Sequence, residues 1–140
     1  MKGRLFPLLL LLTSCNPANV FQTKEYDYDD VEAKIAWSEV FLQSEEEYSV
    51  YFYSLTCGHC KELKGDILNY CFGHYEKLYF SETDENTVFG SGSDLIGIDR
   101  IEDFFILGTP FLINVVNHMV SNYYAGNTKI REYINTKTAS

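Results

Sequence analysis

Basic residues are scarce in this chain: 11 Lys and Arg stand against 20 Asp and Glu, for a formal net charge of −9. No run of Lys or Arg offsets that balance, which argues against nucleic acid and against an anionic membrane surface as electrostatic partners. Long apolar runs are also missing. The N-terminal one, Leu5 to Leu12, is about eight residues, far short of the roughly 20 that a membrane-spanning helix needs. There are no internal repeats. The one glycine-rich stretch, Gly90-Ser91-Gly92-Ser93, lacks the Lys-Ser/Thr ending and the long preceding strand of a phosphate loop. With 22% charged and 46% hydrophobic residues, the composition is that of a globular chain rather than a disordered one. The 140 residues suit a single domain. Proline (three) and cysteine (four) are few, so the positions they occupy are informative. Aromatics are plentiful, with 11 Tyr and 10 Phe, which predicts an aromatic-rich core or peptide-binding face.

The N-terminus reads as an address rather than as structure. Met1-Lys2-Gly3-Arg4 is a short positive segment and Leu5 to Leu12 an apolar one. Leu12-Thr13-Ser14-Cys15 then resembles the lipobox of bacterial lipoproteins. Residues 1–14 are therefore expected to be a signal peptide and Cys15 the lipidated first residue of the mature chain. The alternatives are an ordinary cleaved signal that leaves Cys15 as an incidental thiol, or a poorly chosen start of a cytosolic protein. Loss of Lys2 and Arg4 with the signal takes the net charge from −9 to −11. Residues 15–28 read as a tether, 29–136 as the folded domain and 137–140 as a tail. The expected location is the extracytoplasmic face of the cell membrane, held by the lipid.

Along the domain, Asp29 with Glu32 suggests a capped helix start, and Val31, Ile35, Trp37, Phe41 and Leu42 recur at helical spacing. Glu45-Glu46-Glu47 reads as a turn and Ser49 to Tyr53 as a central strand. Cys57 opens a helix carried by Leu63, Ile67, Leu68 and Cys71, which Gly73 ends. Lys77 to Phe80 reads as a strand, and 81–98 as a surface insertion with at most one helical turn. Asp99 to Glu102 opens a short helix with Ile101, Phe104 and Phe105 inward. Gly108-Thr109-Pro110 breaks it. Phe111 to Val116 is a buried strand, Asn117-His118 a tight turn, and Met119 to Tyr124 the returning strand. Asn127 caps a last helix to about Asn135. A parallel pair followed by an antiparallel hairpin, with helices on both faces, is an α/β layer fold.

The residues that point to chemistry are Cys57-Gly58-His59-Cys60. Two thiols lie two residues apart, with an imidazole between them, at a strand-to-helix junction. A helix N-terminus stabilises a thiolate, and a second thiol one turn deeper resolves a mixed disulfide. Spacing alone also allows a metal site, because Cys57-x2-Cys60 and Cys71-x2-His74 have ligand-like intervals. His74 and His118 otherwise read as surface residues, and Cys71 as a buried structural thiol.

Val50 to Cys60, together with Gly108-Thr109-Pro110-Phe111-Leu112 further along, resembles the thioredoxin superfamily. The resemblance spans roughly residues 30 to 136, and its CGHC tetrapeptide is that of protein disulfide isomerases. It implies a thioredoxin-like α/β fold, a central mixed β-sheet flanked by helices. It also implies Cys57 as nucleophile, Cys60 as resolving thiol, and Gly58 and His59 as tuning residues. Thr109 and Pro110 would form a cis-proline loop that binds an extended client segment. No cofactor is implied beyond the redox-active Cys57–Cys60 disulfide. The implied partners are protein thiols and disulfides and a membrane or extracellular redox partner. The chain departs from the family pattern at Thr56, where an aromatic is usual, and at Tyr51, where many members carry a buried acid. The function expected is extracytoplasmic thiol–disulfide exchange. A redox-inert lipoprotein that uses the fold for binding, and a Cys/His metal protein, are the alternatives.

Overall fold

The computed structural model describes residues 25–74 and 77–139. Four strands form one mixed sheet in the order β2-β1-β3-β4. They are β1 (Glu47–Tyr53), β2 (Leu78–Glu82), β3 (Phe111–Val116) and β4 (Met119–Ala125). β1 runs parallel to β2, with Val50 opposite Tyr79, and antiparallel to β3, with Val50 opposite Ile113. β3 and β4 make the hairpin. Both residues of its turn, Asn117 and His118, have positive φ (52° and 66°), the backbone that matches the twist of a two-residue hairpin. The two α-helices are α1 (Gly58–Gly73) and α2 (Asn127–Thr138).

Strand alternation divides the core in two. Tyr51 and Tyr53 of β1, Leu78 and Phe80 of β2 and Leu112 of β3 face one way. They pack with Cys60, Leu63, Ile67 and Leu68 of α1 and Ile130, Tyr133 and Ile134 of α2. Tyr48, Val50 and Phe52 face the other way, against Trp37, Phe41, Leu95, Phe104 and Ile106. The expected mixed sheet with flanking helices is present. Both α-helices, however, lie on one face. Irregular chain and short 3-10 turns cover the other, so helices do not occupy both faces as the sequence pattern suggested.

The largest correction concerns residues 29–42. No α-helix forms there. Two 3-10 turns, Tyr28–Asp30 and Trp37–Glu39, flank an extended stretch in which Lys34 bridges Phe80 of β2 in parallel. Phe80 N–H donates to Ala33 O at 2.8 Å, and Ile35 N–H to Phe80 O at 2.9 Å. β2 is otherwise an edge strand, and pairing satisfies its exposed backbone groups. β-Branched Val31 and Ile35 suit that role, and so short an apolar pattern fits either period. The capping residues are Asp27 and Asp30, not Asp29 and Glu32. Tyr26, Asp27 and Tyr28, assigned to the tether by sequence, pack into the domain. Tyr26 stacks on Phe72 at 4.2 Å, and Tyr28 is buried.

Smaller differences follow the same logic. Ile101–Asp103 is a single 3-10 turn. Gly126, not Asn127, occupies the cap position of α2, and the helix runs on to Thr138. Residues 83–98 carry no helix, but they are not merely a surface loop, because Leu95 is fully buried in the second core.

Candidate active site

β1 ends at Tyr53 and α1 begins at Gly58, so the turn between them sets where the first thiol sits. Ser54 shapes that turn. Its Oγ lies 3.1 Å from Thr56 Oγ1 and accepts from Thr56 N–H at 3.3 Å, while its carbonyl accepts from Cys57 N–H at 3.3 Å. Thr56 thus joins the turn itself. Cys57 then takes the N-cap position with extended backbone, and its Sγ accepts from Cys60 N–H at 3.1 Å. A sulfur there stands where serine or aspartate oxygens usually cap helices. Cys57 is partly exposed and Cys60 is 1% exposed.

The second wall of the site comes from Gly108-Thr109-Pro110. The Thr109–Pro110 peptide bond is cis. Cys57 Sγ–H donates to Thr109 O at 3.5 Å. Gly126 N–H donates to Pro110 O at 3.0 Å, which ties this loop to the turn before α2. The structure therefore brings together Cys57, Cys60, Thr109 and Pro110 from distant parts of the chain.

The two thiols sit in opposite electrostatic environments. For Cys57, partial burial alone would raise the pKa. Hydrogen bonds with the Cys60 thiol and the Thr109 side chain, and with the backbone N–H groups of Cys60 and His59, outweigh it and hold the thiol below its ordinary value. For Cys60, burial dominates, the neighbouring Cys57 thiol adds to it, and the pKa is pushed up to about 11. One thiol is accessible and biased toward thiolate; the other is buried and biased toward thiol.

The remaining expected residues fall as follows. Gly58 is exposed, and a Cβ on it would meet nothing within 4 Å, so no close approach demands a glycine. His59 reaches Cys57 through its backbone. Its imidazole is solvent-exposed, with Nδ1 3.6 Å from Glu62 Oε2. Glu62 also accepts from Asn127 Nδ2 at 3.1 Å. The sequence reading missed Glu62, although its i,i+3 spacing from His59 is a readable helix signal. Cys71 lies on α1 about 16 Å beyond Cys60 by helical rise. It is half-buried, and burial raises its pKa. His74 packs on Tyr70 with ring centroids 4.7 Å apart, and His118 Nδ1 lies 3.3 Å from Phe41 O. Among the described residues, no group of three or more His, Cys, Asp and Glu side chains is placed to hold a metal ion. Cys15 and the signal segment lie outside the described residues.

No protein-family model matches the chain, and no curated protein matches it. Solved structures do. Thioredoxin f2 of Chlamydomonas reinhardtii aligns with a TM-score of 0.53 at 15% identity, covering 74% of this chain and 90% of that one. The short form of spinach chloroplast thioredoxin f aligns with a TM-score of 0.51 at 13% identity, again over 74% of this chain and 90% of its own. With its mixed four-stranded sheet, its flanking helices and a cysteine pair at the start of α1, this chain has a thioredoxin-like fold.

Proposed function

We propose that this protein is a thiol–disulfide oxidoreductase that exchanges disulfides with client proteins through Cys57 and Cys60. The carrying observation is the contrast between the two thiols: an accessible one held below its ordinary pKa at a helix N-terminus, and a buried one pushed up to about 11. In the reducing direction the Cys57 thiolate attacks a client disulfide, that S–S bond breaks, and a Cys57–client mixed disulfide forms. Cys60 then attacks the Cys57 sulfur, the client leaves as a thiol, and a Cys57–Cys60 disulfide remains. Every step reverses, and the potential of the recharging redox partner sets the direction. Thr109 and Pro110 supply the wall against which an extended client lies. Leu55 and Leu107, both exposed, add apolar surface close in sequence to Cys57 and Thr109. The Cys57–Cys60 pair is the whole redox apparatus of this reading. His59 and Gly58 tune the pair, the first through its backbone N–H and its contact with Glu62, and the second by leaving the client's approach open.

The same proposal places the protein on the extracytoplasmic face of the membrane, attached through lipid on Cys15. The N-terminal pattern supports it: a positive segment, an apolar segment and then Leu12-Thr13-Ser14-Cys15.

Trapping tests the chemistry. Cys60→Ser should accumulate Cys57-linked mixed disulfides that are visible without reductant and absent from Cys57→Ser. A folded Cys60→Ser protein that traps no client means the assigned roles are wrong. Cys15→Ser should move the protein out of the membrane fraction; if it stays there, the anchor is not at Cys15.

A further inference from the structure

Two polar atoms deep in the core lack a hydrogen bond of good geometry. The hydroxyls of Tyr51 and Tyr28 are buried and make no hydrogen bond of good geometry with any protein atom. The two residues are 0% and 6% exposed. Buried hydroxyls are nearly always paired, and phenylalanine would fill the same volume without the cost of desolvating an oxygen. Ten Phe residues elsewhere in the chain show that phenylalanine is available to it.

Their position suggests what the hydroxyls serve. Both tyrosines belong to the core cluster that contains Cys60, and Cys57 packs against it. The rings are fixed by aromatic contacts. Tyr28 stacks on Tyr53 at 4.1 Å and Tyr51 on Tyr53 at 5.9 Å, and both meet Phe80 edge-on. On the outer side, Lys64 of α1 lies 5.4 Å from the Tyr28 ring centroid and pairs with Asp27 at 2.9 Å. The hydroxyls interact with each other, and both sense the charge of Cys60 and Cys57. Burial holds both in the protonated O–H form: Tyr28 is pushed up to about 12 and Tyr51 higher still. The pair is therefore a fixed set of hydrogen-bond donors in the same core cluster as Cys60, close enough to sense the charge of a thiol that must ionise there.

We propose that Tyr51 and Tyr28 are positioning residues for Cys60: the Tyr51 hydroxyl donates to the Cys60 sulfur as it becomes a thiolate, and the Tyr28 hydroxyl backs Tyr51. The proposal rests on the oxidoreductase reading above and concerns its second step. The Cys60 thiolate attacks the Cys57 sulfur of the mixed disulfide, the Cys57–client bond breaks, and the Cys57–Cys60 bond forms. The proton shed by Cys60 ends on the client thiol. The tyrosines keep their own protons throughout.

The test uses reduced wild type, Tyr51→Phe and Tyr28→Phe, each of which loses only an oxygen and keeps the core volume. NMR of isotope-labelled cysteine follows the Cys60 titration. Stopped-flow with an aromatic disulfide that releases a coloured thiolate resolves attack by Cys57 (first phase) from closure by Cys60 (second phase). In Tyr51→Phe the Cys60 titration should move about one pH unit higher, and the second phase should slow about three- to four-fold at neutral pH, because the more basic thiolate regains about three-fold in nucleophilicity. The first phase should be unchanged. Tyr28→Phe should do the same by a smaller factor. A merely structural hydroxyl would leave the Cys60 titration where it is in wild type, and that result overturns the proposal. The titration needs no exchange activity. If wild type shows no first phase below pH 8, the oxidoreductase reading fails separately, and the Cys60 titration still decides the role of the tyrosines.

Discussion

Alkylation of the reduced protein tests the electrostatics of the site directly, because iodoacetamide reacts with thiolates. At pH 7 a thiol with a pKa of about 11, as for Cys60, is ionised in about one part in ten thousand. An ordinary thiol at 9.0, the value that Cys57 falls below, is ionised in about one part in a hundred. Ionisation therefore favours Cys57 by more than about 100-fold. Against this, a less basic thiolate is a weaker nucleophile, which returns about ten-fold over that interval. Ionisation wins by at least about ten-fold, and the burial of Cys60, only 1% exposed, widens the gap further. A pulse of iodoacetamide at several pH values, with each cysteine followed by fragmentation mass spectrometry, measures it. Cys71, half-buried and with a raised pKa, serves as the slow internal control. Labelling of Cys60 as fast as Cys57, or a Cys57 profile centred at or above 9, refutes the argument.

Reduced protein should also lose stability in alkali. The folded pKa of Cys60 is raised from 9.0 to about 11, so its contribution is complete below pH 9 and is lost as pH rises toward 11. Two units correspond to about 3 kcal/mol as an upper bound. Cys57, whose folded pKa is lowered, has the opposite sign and weakens the fold only as pH falls through its own value. Urea unfolding at pH 8 and pH 10.5 reads the balance, and the oxidised protein, which has no such thiols to titrate, should fall less; equal losses contradict the assignment. On the other face of the sheet, Phe104 is 2% exposed and meets the rings of Trp37, Phe41 and Phe52. Phe104→Ala should cost about 3–5 kcal/mol in urea unfolding; a loss under about 1 kcal/mol would mean that the irregular segment is not part of the core. Arg131→Ala breaks an exposed contact with Asp66 at 2.9 Å and a bond to Glu62 O at 3.0 Å. It should cost at most about 1 kcal/mol by the same assay, and a larger loss would show that the α1–α2 contact depends on it.

The sheet was legible because its signals are local. Phe111 to Val116 ends at a two-residue turn and begins after a proline, and the strand occupies that span. The helix after Cys57 was legible for the same reason. Residues 29–42 were not, because their fate depends on a hydrogen-bonding partner elsewhere. Val31, Ile35, Trp37 and Phe41 fit a helical face, but the open edge of β2 at Phe80 draws the backbone of Ala33 and Ile35 into pairing. Leu95 was hidden for a related reason. It lies among Ser, Asp and Gly residues that read as loop, and only the empty face of the sheet makes it core.

The site divides along the same line. Cys57 and Cys60 announce themselves, and strand parity puts Tyr51 and Tyr53 on one face of the sheet, which the fold then covers with α1. What decides the chemistry comes from further away. The Thr109 carbonyl approaches Cys57 from a separate loop. The backbone N–H of His59 and Cys60 reaches the sulfur only because Cys57 is the N-cap and not a residue inside the helix. Tyr28 enters from a segment that reads as tether, held by a stack on Tyr53 and by the Asp27–Lys64 pair beside it. A strand read by itself shows a tyrosine facing a helix, which is ordinary. Two buried hydroxyls with no hydrogen bond of good geometry, in the same core cluster as a thiol that must ionise, are not ordinary, and only the folded chain brings them together. Tyr51→Phe therefore separates two accounts of the same residue: packing predicts an unmoved Cys60 titration, and a donor to the resolving thiolate predicts one about a pH unit higher.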